Sequence, residues 1–264
     1  MSDDKVGIVP KVVAVLVFGF LMAPLVVIIL ASFSPTTIVT FPPRGFSLEW
    51  YANIFGSSTN FVSGFFNSIK VAVIATVADI FLGVTAALAV SRYRFKGREL
   101  LVAFFTSPMY VPSIAFGFVL LQVFSAIGSI PAFLRILLGH GVIILPYILR
   151  NTLAVLASFN WTLEDAAASL GANPLQTFFK ITLPLVKPGV VAGALLSFLY
   201  SFDEAVLSSL LNSPKFITLP IRIMNYMEFS FDPTLAAIST VLILLSFMTI
   251  VLLERFMGLD MFLK

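Results

Sequence analysis

The chain has 264 residues, 59% hydrophobic and only 11% charged, with a mean hydropathy of +1.05. Soluble domains carry roughly 25% charged residues, so this composition excludes an ordinary water-soluble fold and points to a lipid bilayer as solvent. A formal charge of only +3, no cysteine and one histidine argue against a nucleic-acid footprint and exclude disulfides and Cys-ligated metal sites.

A bilayer core about 30 Å thick requires about 20 mostly apolar residues per helix. Runs of that kind, bounded by charge, Pro or Gly, predict an all-α membrane protein with six spans, at residues 12–33, 62–90, 100–124, 136–156, 188–211 and 234–253. The first follows Lys5 and Lys11. It is longer than a signal-peptide core and ends at Ser34-Pro35 without a small-x-small cleavage pattern, so a retained anchor helix is expected. The loop after it holds Phe41-Pro42-Pro43-Arg44-Gly45 and Trp50-Tyr51. Its Pro and Gly enforce turns, and the aromatic pair predicts an interfacial helix over 48–55.

The second span contains Lys70 and Asp79. Nine residues is about 900° of helical rotation, which puts the two on opposite faces. A charge at a span centre costs about 2.5–3.5 kcal/mol, so Asp79 should face protein or water, and Lys70 should snorkel outward. Directly after this span come Arg92, Arg94, Lys96 and Arg98, and positive charge collects in cytoplasmic loops. The inside then holds those four with Lys5, Lys11, Arg150, Lys180, Lys187, Arg255 and Lys264, the outside Arg44, Arg135, Lys215 and Arg222. Both termini are therefore expected in the cytoplasm.

Pro108, Pro112 and Pro146 interrupt spans three and four; kinks without function are the default expectation, the alternative being freed carbonyls that line a cavity or permit bending. His140, between Gly139 and Gly141, cannot form a metal site alone; structural packing with a hydrogen bond to a neighbouring carbonyl is expected, ahead of a proton or substrate role. The loop over 157–187 reads as helix, sharp turn, helix. Asn160 precedes a run with Glu164 and Asp165 in its first turn, where the helix dipole favours acids. Gly171 ends that helix. Asn173-Pro174 starts a second, which Leu183-Pro184 should stop. In the fifth span, Asp203 and Glu204 with Tyr200, Phe198 and Phe202 combine carboxylates and aromatic faces, which attract an ammonium group. With Asp79, the residues Asp203, Glu204 and Tyr200 are the substrate-path candidates. No internal repeat or linker divides the chain, so one domain over 1–264 is expected.

The spacing Asp165-Ala166-Ala167, three residues, Gly171, nine residues, Ile181-Thr182-Leu183-Pro184 resembles the EAA loop of binding-protein-dependent ABC importer permeases. The one departure is Asp165 where that family usually has Glu, with Glu164 directly before it. The segments Phe46-Ser47-Leu48-Glu49-Trp50-Tyr51 and Ser201-Phe202-Asp203-Glu204 look like the spermidine/putrescine class of these permeases. The resemblance implies the ABC type I importer transmembrane fold. It also implies that 157–187 is the coupling loop on an ATPase subunit, with Glu164, Asp165, Ala166, Ala167 and Gly171 at or beside the contact. The same resemblance implies a second permease subunit, forming a heterodimer, two ATPase subunits, and an external solute-binding protein. The setting it implies is the bacterial inner membrane. No cofactor is expected in this chain, which has no GxxxxGK[ST] phosphate loop and is not itself an enzyme; ATP and Mg would reside in the ATPase partners.

The implied cargo is a polyamine such as spermidine or putrescine, although related permeases carry opines, phosphonates or iron. Two other classes stay open at this point. In an ion-coupled secondary carrier, Asp79 or Asp203 would bind protons or sodium, but such carriers usually show repeated halves. A membrane scaffold would explain the docking loop but not the buried acids.

Overall fold

A computed structural model describes residues 7–38, 41–56 and 59–257, and the backbone alone at 250 and 252–257. Lys5 and Lys264 of the charge count lie outside the described residues. The described residues are helical, with no strand beyond an isolated bridge between Ser213 and Phe216. Expected as one domain, the chain groups into two compact units, Met1–Val62 with Arg222–Lys264, and Ser63–Ile221.

In the first unit, α1 (Ile8–Ala31) tolerates Pro24 in its interior and leaves its apolar side chains almost wholly uncovered. The short helix α2 (Glu49–Ile54) forms where an interfacial helix was expected, but Trp50 is turned into protein instead of toward an interface. Its indole N–H donates to the Ser34 carbonyl at 2.6 Å, and Tyr51 meets the Ser32 hydroxyl at 2.6 Å. A buried indole needs such an acceptor, and that need outweighs the interfacial preference. Asn53 donates to Thr234 Oγ1 at 2.9 Å, which ties α2 to the start of the last helix.

The second unit begins within α3 (Phe61–Arg92), the longest helix among the described residues, and is organised around α6 (Ala132–Leu156). Between them lie α4 (Arg98–Thr106), a 3₁₀ turn over Ser107–Tyr110, and α5 (Ser113–Ile127). The third expected span is thus no single straight helix: its two halves meet at 105°. Pro108 and Pro112 explain this, because neither supplies an N–H and the residue before a proline is pushed out of helical conformation. Pro146, by contrast, sits inside a continuous α6.

After α6 come α7 (Thr162–Ser169), α8 (Pro174–Thr177), a π-helical turn over Phe178–Thr182, α9 (Leu183–Asp203) and α10 (Val206–Leu211). Here the structure corrects two expectations. Pro184 does not stop the second loop helix; Pro174–Asp203 runs on as one apolar rod. Pro184 falls in the first turn of α9, where its missing N–H matters least, and the π turn absorbs the change in register. The fifth span does not reach Leu211 unbroken, since Glu204 adopts an extended conformation at the end of α9. The remaining helices are α11 (Leu219–Phe229) and α12 (Thr234–Met257).

Among the described residues, four helices are long and apolar enough to cross a membrane, and the bent α4–α5 pair makes a fifth; α12 is apolar over Thr234–Thr249. Two buried clusters hold the second unit together. One joins Val71 and Ala75 of α3 to Phe124, Ile136, Ile144, Leu207 and Leu211, and the other joins Val84 and Ala87 to Ile148, Leu149, Val186 and Val190. Both draw on α6, which packs extensively against α9.

Candidate functional site

Two places carry chemistry, both in the second unit: the elbow between α6 and α9, and the break at the end of α9. The elbow is rigid by local design. Asn160 Oδ1 accepts from the Thr162 N–H at 3.1 Å and its hydroxyl at 2.7 Å, opening α7. At the other end the Gly171 N–H donates to the Ala168 carbonyl and the Ala172 N–H to the Ala167 carbonyl, each at 3.0 Å. That reciprocal pair closes a helix through a left-handed residue, and Gly171 has φ +86° as required. The next helix begins at once. Asn173 Oδ1 accepts the Gln176 N–H at 2.9 Å, Gln176 Oε1 accepts the Asn173 N–H at 3.0 Å, and Pro174 takes the first helical position. This capping box satisfies two otherwise orphaned donors.

The five residues expected at an ATPase contact divide between two faces. Asp165, Ala166 and Gly171 are exposed, and beside them Leu170 is 90% and Leu175 70% exposed. Glu164 and Ala167 are buried. Glu164 is occupied: Arg92 Nη1 lies 2.7 Å from its Oε2, and the Thr182 hydroxyl donates to its Oε1 at 2.5 Å. The Arg92 guanidinium also lies 5.8 Å from the Trp161 ring centroid. A cavity of about 460 Å³ opens beside this cluster, lined in part by Tyr93, Trp161, Asp165 and Phe178. Sequence reasoning used Arg92 only as a topology marker and Thr182 only as part of the Ile181-Thr182-Leu183-Pro184 end of the motif. Their convergence has no local signature, because the residues are far apart in the chain and meet only through packing.

At the second place, α9 ends at Asp203, and a helix end of this kind lacks intrahelical partners for its last carbonyls. The helix dipole makes that end negative. Asp203 is exposed there. Tyr200 packs on Tyr147 with ring centroids 5.3 Å apart, and Phe202 sits 6.1 Å from Phe198 and 5.8 Å from Phe65. Glu204 plays a different part: it is buried, and its Oε1 accepts the Leu207 N–H at 2.8 Å, stabilising the first turn of α10. The two neighbouring acids therefore separate, one facing outward and one serving the backbone.

Asp79 is elsewhere, buried against α6, where a Cβ on Gly141 would stand 3.7 Å from its Oδ1. Its Oδ2 and the Thr76 hydroxyl have no hydrogen-bond partner among the described residues. Lys70 is exposed, with Nζ 4.7 Å from the Phe133 ring centroid, in keeping with the opposite faces predicted. His140 is fully buried and bridges the broken span, with Nδ1 2.8 Å from Ser201 Oγ and Nε2 2.9 Å from Ser208 Oγ. Sequence reasoning quoted Ser201 only as part of the Ser201-Phe202-Asp203-Glu204 segment and missed Ser208, since a serine in an apolar run is most simply read as filler. No cluster able to hold a metal occurs among the described residues.

The family of binding-protein-dependent transport system inner membrane components matches residues 79–257, a segment that includes the elbow and the broken helix. The chain belongs to this family. It is 31% identical over 236 residues, 89% of this chain and 91% of the relative, to the spermidine/putrescine transport system permease protein PotC of Haemophilus influenzae. It is also 31% identical to the putrescine transport system permease protein PotI of Escherichia coli, over 88% of this chain and 84% of that one. The trehalose transport system permease protein SugB of Mycobacterium tuberculosis is 33% identical over 80% of this chain and 78% of its own. Among solved structures, a bacterial ABC transporter involved in the import of the acidic polysaccharide alginate aligns with a TM-score of 0.63 at 20% identity, over 98% of both chains. An amino acid ABC transporter with histidines aligns at 0.58 and 17%, over 80% of this chain and 99% of that one. The fold is that of ABC importer permeases.

Membership makes this permease a non-enzymatic, multi-pass subunit of an ATP-driven importer in the inner membrane. Subunits of this family work with another permease, ATPase subunits that hydrolyse the nucleotide, and a binding protein.

Proposed function

We propose that this permease carries a polyamine, handed over by an external binding protein, through a path that passes the broken end of α9. It pairs there with a different permease subunit and sits on two ATPase subunits that hold ATP and Mg, in a bacterial inner membrane with both termini in the cytoplasm. In this reading α12 completes six spans. The carrying observation is the exposed carboxylate of Asp203 at the negative end of α9, beside Tyr200 and Phe202. A carboxylate, a helix C-terminus and aromatic faces all favour a cation over a neutral sugar. The spermidine and putrescine for which PotC and PotI are named agree with that chemistry.

The elbow is the proposed docking surface for the ATPase. Its exposed face presents Asp165 with Ala166, Leu170 and Gly171, small or apolar groups beside a single charge, which is costly in water and suited to a groove. Closure of the ATPase pair on ATP would bring two such elbows together and reorient the attached helices, opening the path to alternate sides.

The test is uptake by the reconstituted complex in proteoliposomes, driven by spermidine-loaded binding protein. Spermidine is expected to be transported and to stimulate hydrolysis; trehalose on its own receptor is not. Asp203→Asn should lower cation uptake about tenfold, the equivalent of about 1.4 kcal/mol, without loss of the ATPase subunits. Uptake unaltered by that change removes Asp203 from the path, and a complex that ignores polyamines removes the cargo assignment.

A further inference from the structure

Among the described residues, the polar side-chain contacts that attach the elbow to the rest of the unit converge on Glu164. Glu164, 7% exposed at its side chain, is held by Arg92 at 2.7 Å and by Thr182 at 2.5 Å. Arg92 is the last residue of α3, and Thr182 is the last residue of the π turn that leads into α9. Among the described residues this is the one ion pair. It is placed where a cation and a helix C-terminus reinforce each other. The neighbouring Asp165 is exposed and has no ion-pair partner among the described residues.

We propose that Glu164 is a rivet that transmits movement of the docked elbow into α3 and α9 together, and that it is a positioning residue, not a contact to the ATPase. The inference rests on the docking role proposed above for the exposed face, and divides the two adjacent acids between outward contact and inward transmission. Three features support it. The carboxylate spends both oxygens inside the subunit. The elbow is rigid on both sides of its turn, so a push at Leu170 or Gly171 arrives at α7 undiminished. And the π turn, which has a looser hydrogen-bond register than an α-helix, is the segment through which an unfastened elbow would move without carrying α9. With the rivet in place that slack is removed, because Thr182 closes the π turn against α7.

Glu164→Gln is the informative change. Its amide oxygen still accepts from Thr182, while the charge attraction to Arg92 is gone. In the reconstituted complex, the ATP hydrolysed per solute imported should rise about tenfold, because a charge-assisted bond is replaced by a neutral one. Arg92→Gln should do the same, and it serves if Glu164→Gln does not insert. Exchanging the partners, Arg92→Glu with Glu164→Arg, should bring the ratio back to within about threefold of the parent, a rescue that simple destabilisation would not show.

Unchanged coupling in both single variants overturns the proposal. So does loss of the ATPase subunits from the purified Glu164→Gln complex, which would make the acid a docking contact, and so does failure of both single variants to insert. If the parent complex recruits no ATPase, the docking reading itself fails, which is a separate outcome.

Discussion

Gly171→Val should leave the subunit in the membrane while cutting solute import at least about tenfold and sparing much of the ATP hydrolysis. The reason is conformational. Gly171 sits at φ +86°, where a β-branched residue is a genuine outlier and a side chain costs about 1–2 kcal/mol. The Cβ itself would meet nothing within 4 Å, so the penalty comes from the backbone and not from crowding within the subunit. Relief requires the turn to open, which breaks the pair of hydrogen bonds from Gly171 and Ala172 to Ala168 and Ala167 and re-aims α7 relative to α8. A graded series makes the test sharper: Gly171→Asn, which tolerates this conformation, should retain more coupling than Gly171→Val. The measurement is import and hydrolysis by the same reconstituted preparation. A valine variant that stays fully coupled would count against the elbow as the mechanical joint.

Gly189→Leu and Gly193→Leu should abolish folding of the second unit, a larger effect reached by another route. A Cβ at Gly189 would stand 2.5 Å from the Asn151 carbonyl oxygen, and one at Gly193 2.7 Å from the Ile148 Cα and 3.0 Å from the Tyr147 carbonyl oxygen. These are backbone atoms of α6 and cannot swing aside as a side-chain tip would. Small residues are what allow two helices to approach this closely. Even alanine should destabilise by about 1–3 kcal/mol at either position, visible as a lowered midpoint of thermal unfolding in detergent; leucine should prevent recovery of monodisperse protein. Gly19→Ala is the control, since nothing lies within 4 Å of a Cβ there. Tolerance of leucine at Gly193 would mean that α6 and α9 are not in close contact in the assembled importer.

The break in α9 shows how a stretch whose charges stand out in the sequence can still be misread for shape. Asp203 and Glu204 stand out in an apolar run, and their charge alone says that they must find water, a partner or a helix end. Which of these each acid takes depends on the conformation of Glu204. Once it turns extended, its carboxylate reaches the Leu207 N–H and the chain restarts as α10, while Asp203 is left at an exposed helix end. The two serines that meet His140 belong to the same rearrangement, one on each side of the break.

Much about this permease follows from its sequence alone: the all-helical membrane architecture, the elbow with its glycine turn and Asn-Pro start, and membership of the importer family. Those features rest on composition, on hydropathy summed over about 20 residues, and on short-range rules of capping and turns, all of which act between residues close in the chain. Tertiary structure decided the rest. It bent the third span at its prolines, ran Pro174–Asp203 on as one rod despite Pro184 and Pro188, turned Trp50 inward, and gave Glu164 to Arg92 and Thr182 while leaving Asp165 outside. Each of these depends on which distant side chain supplies a hydrogen bond or a charge at the right point, and only the packing of α3, α6 and α9 against one another determines that.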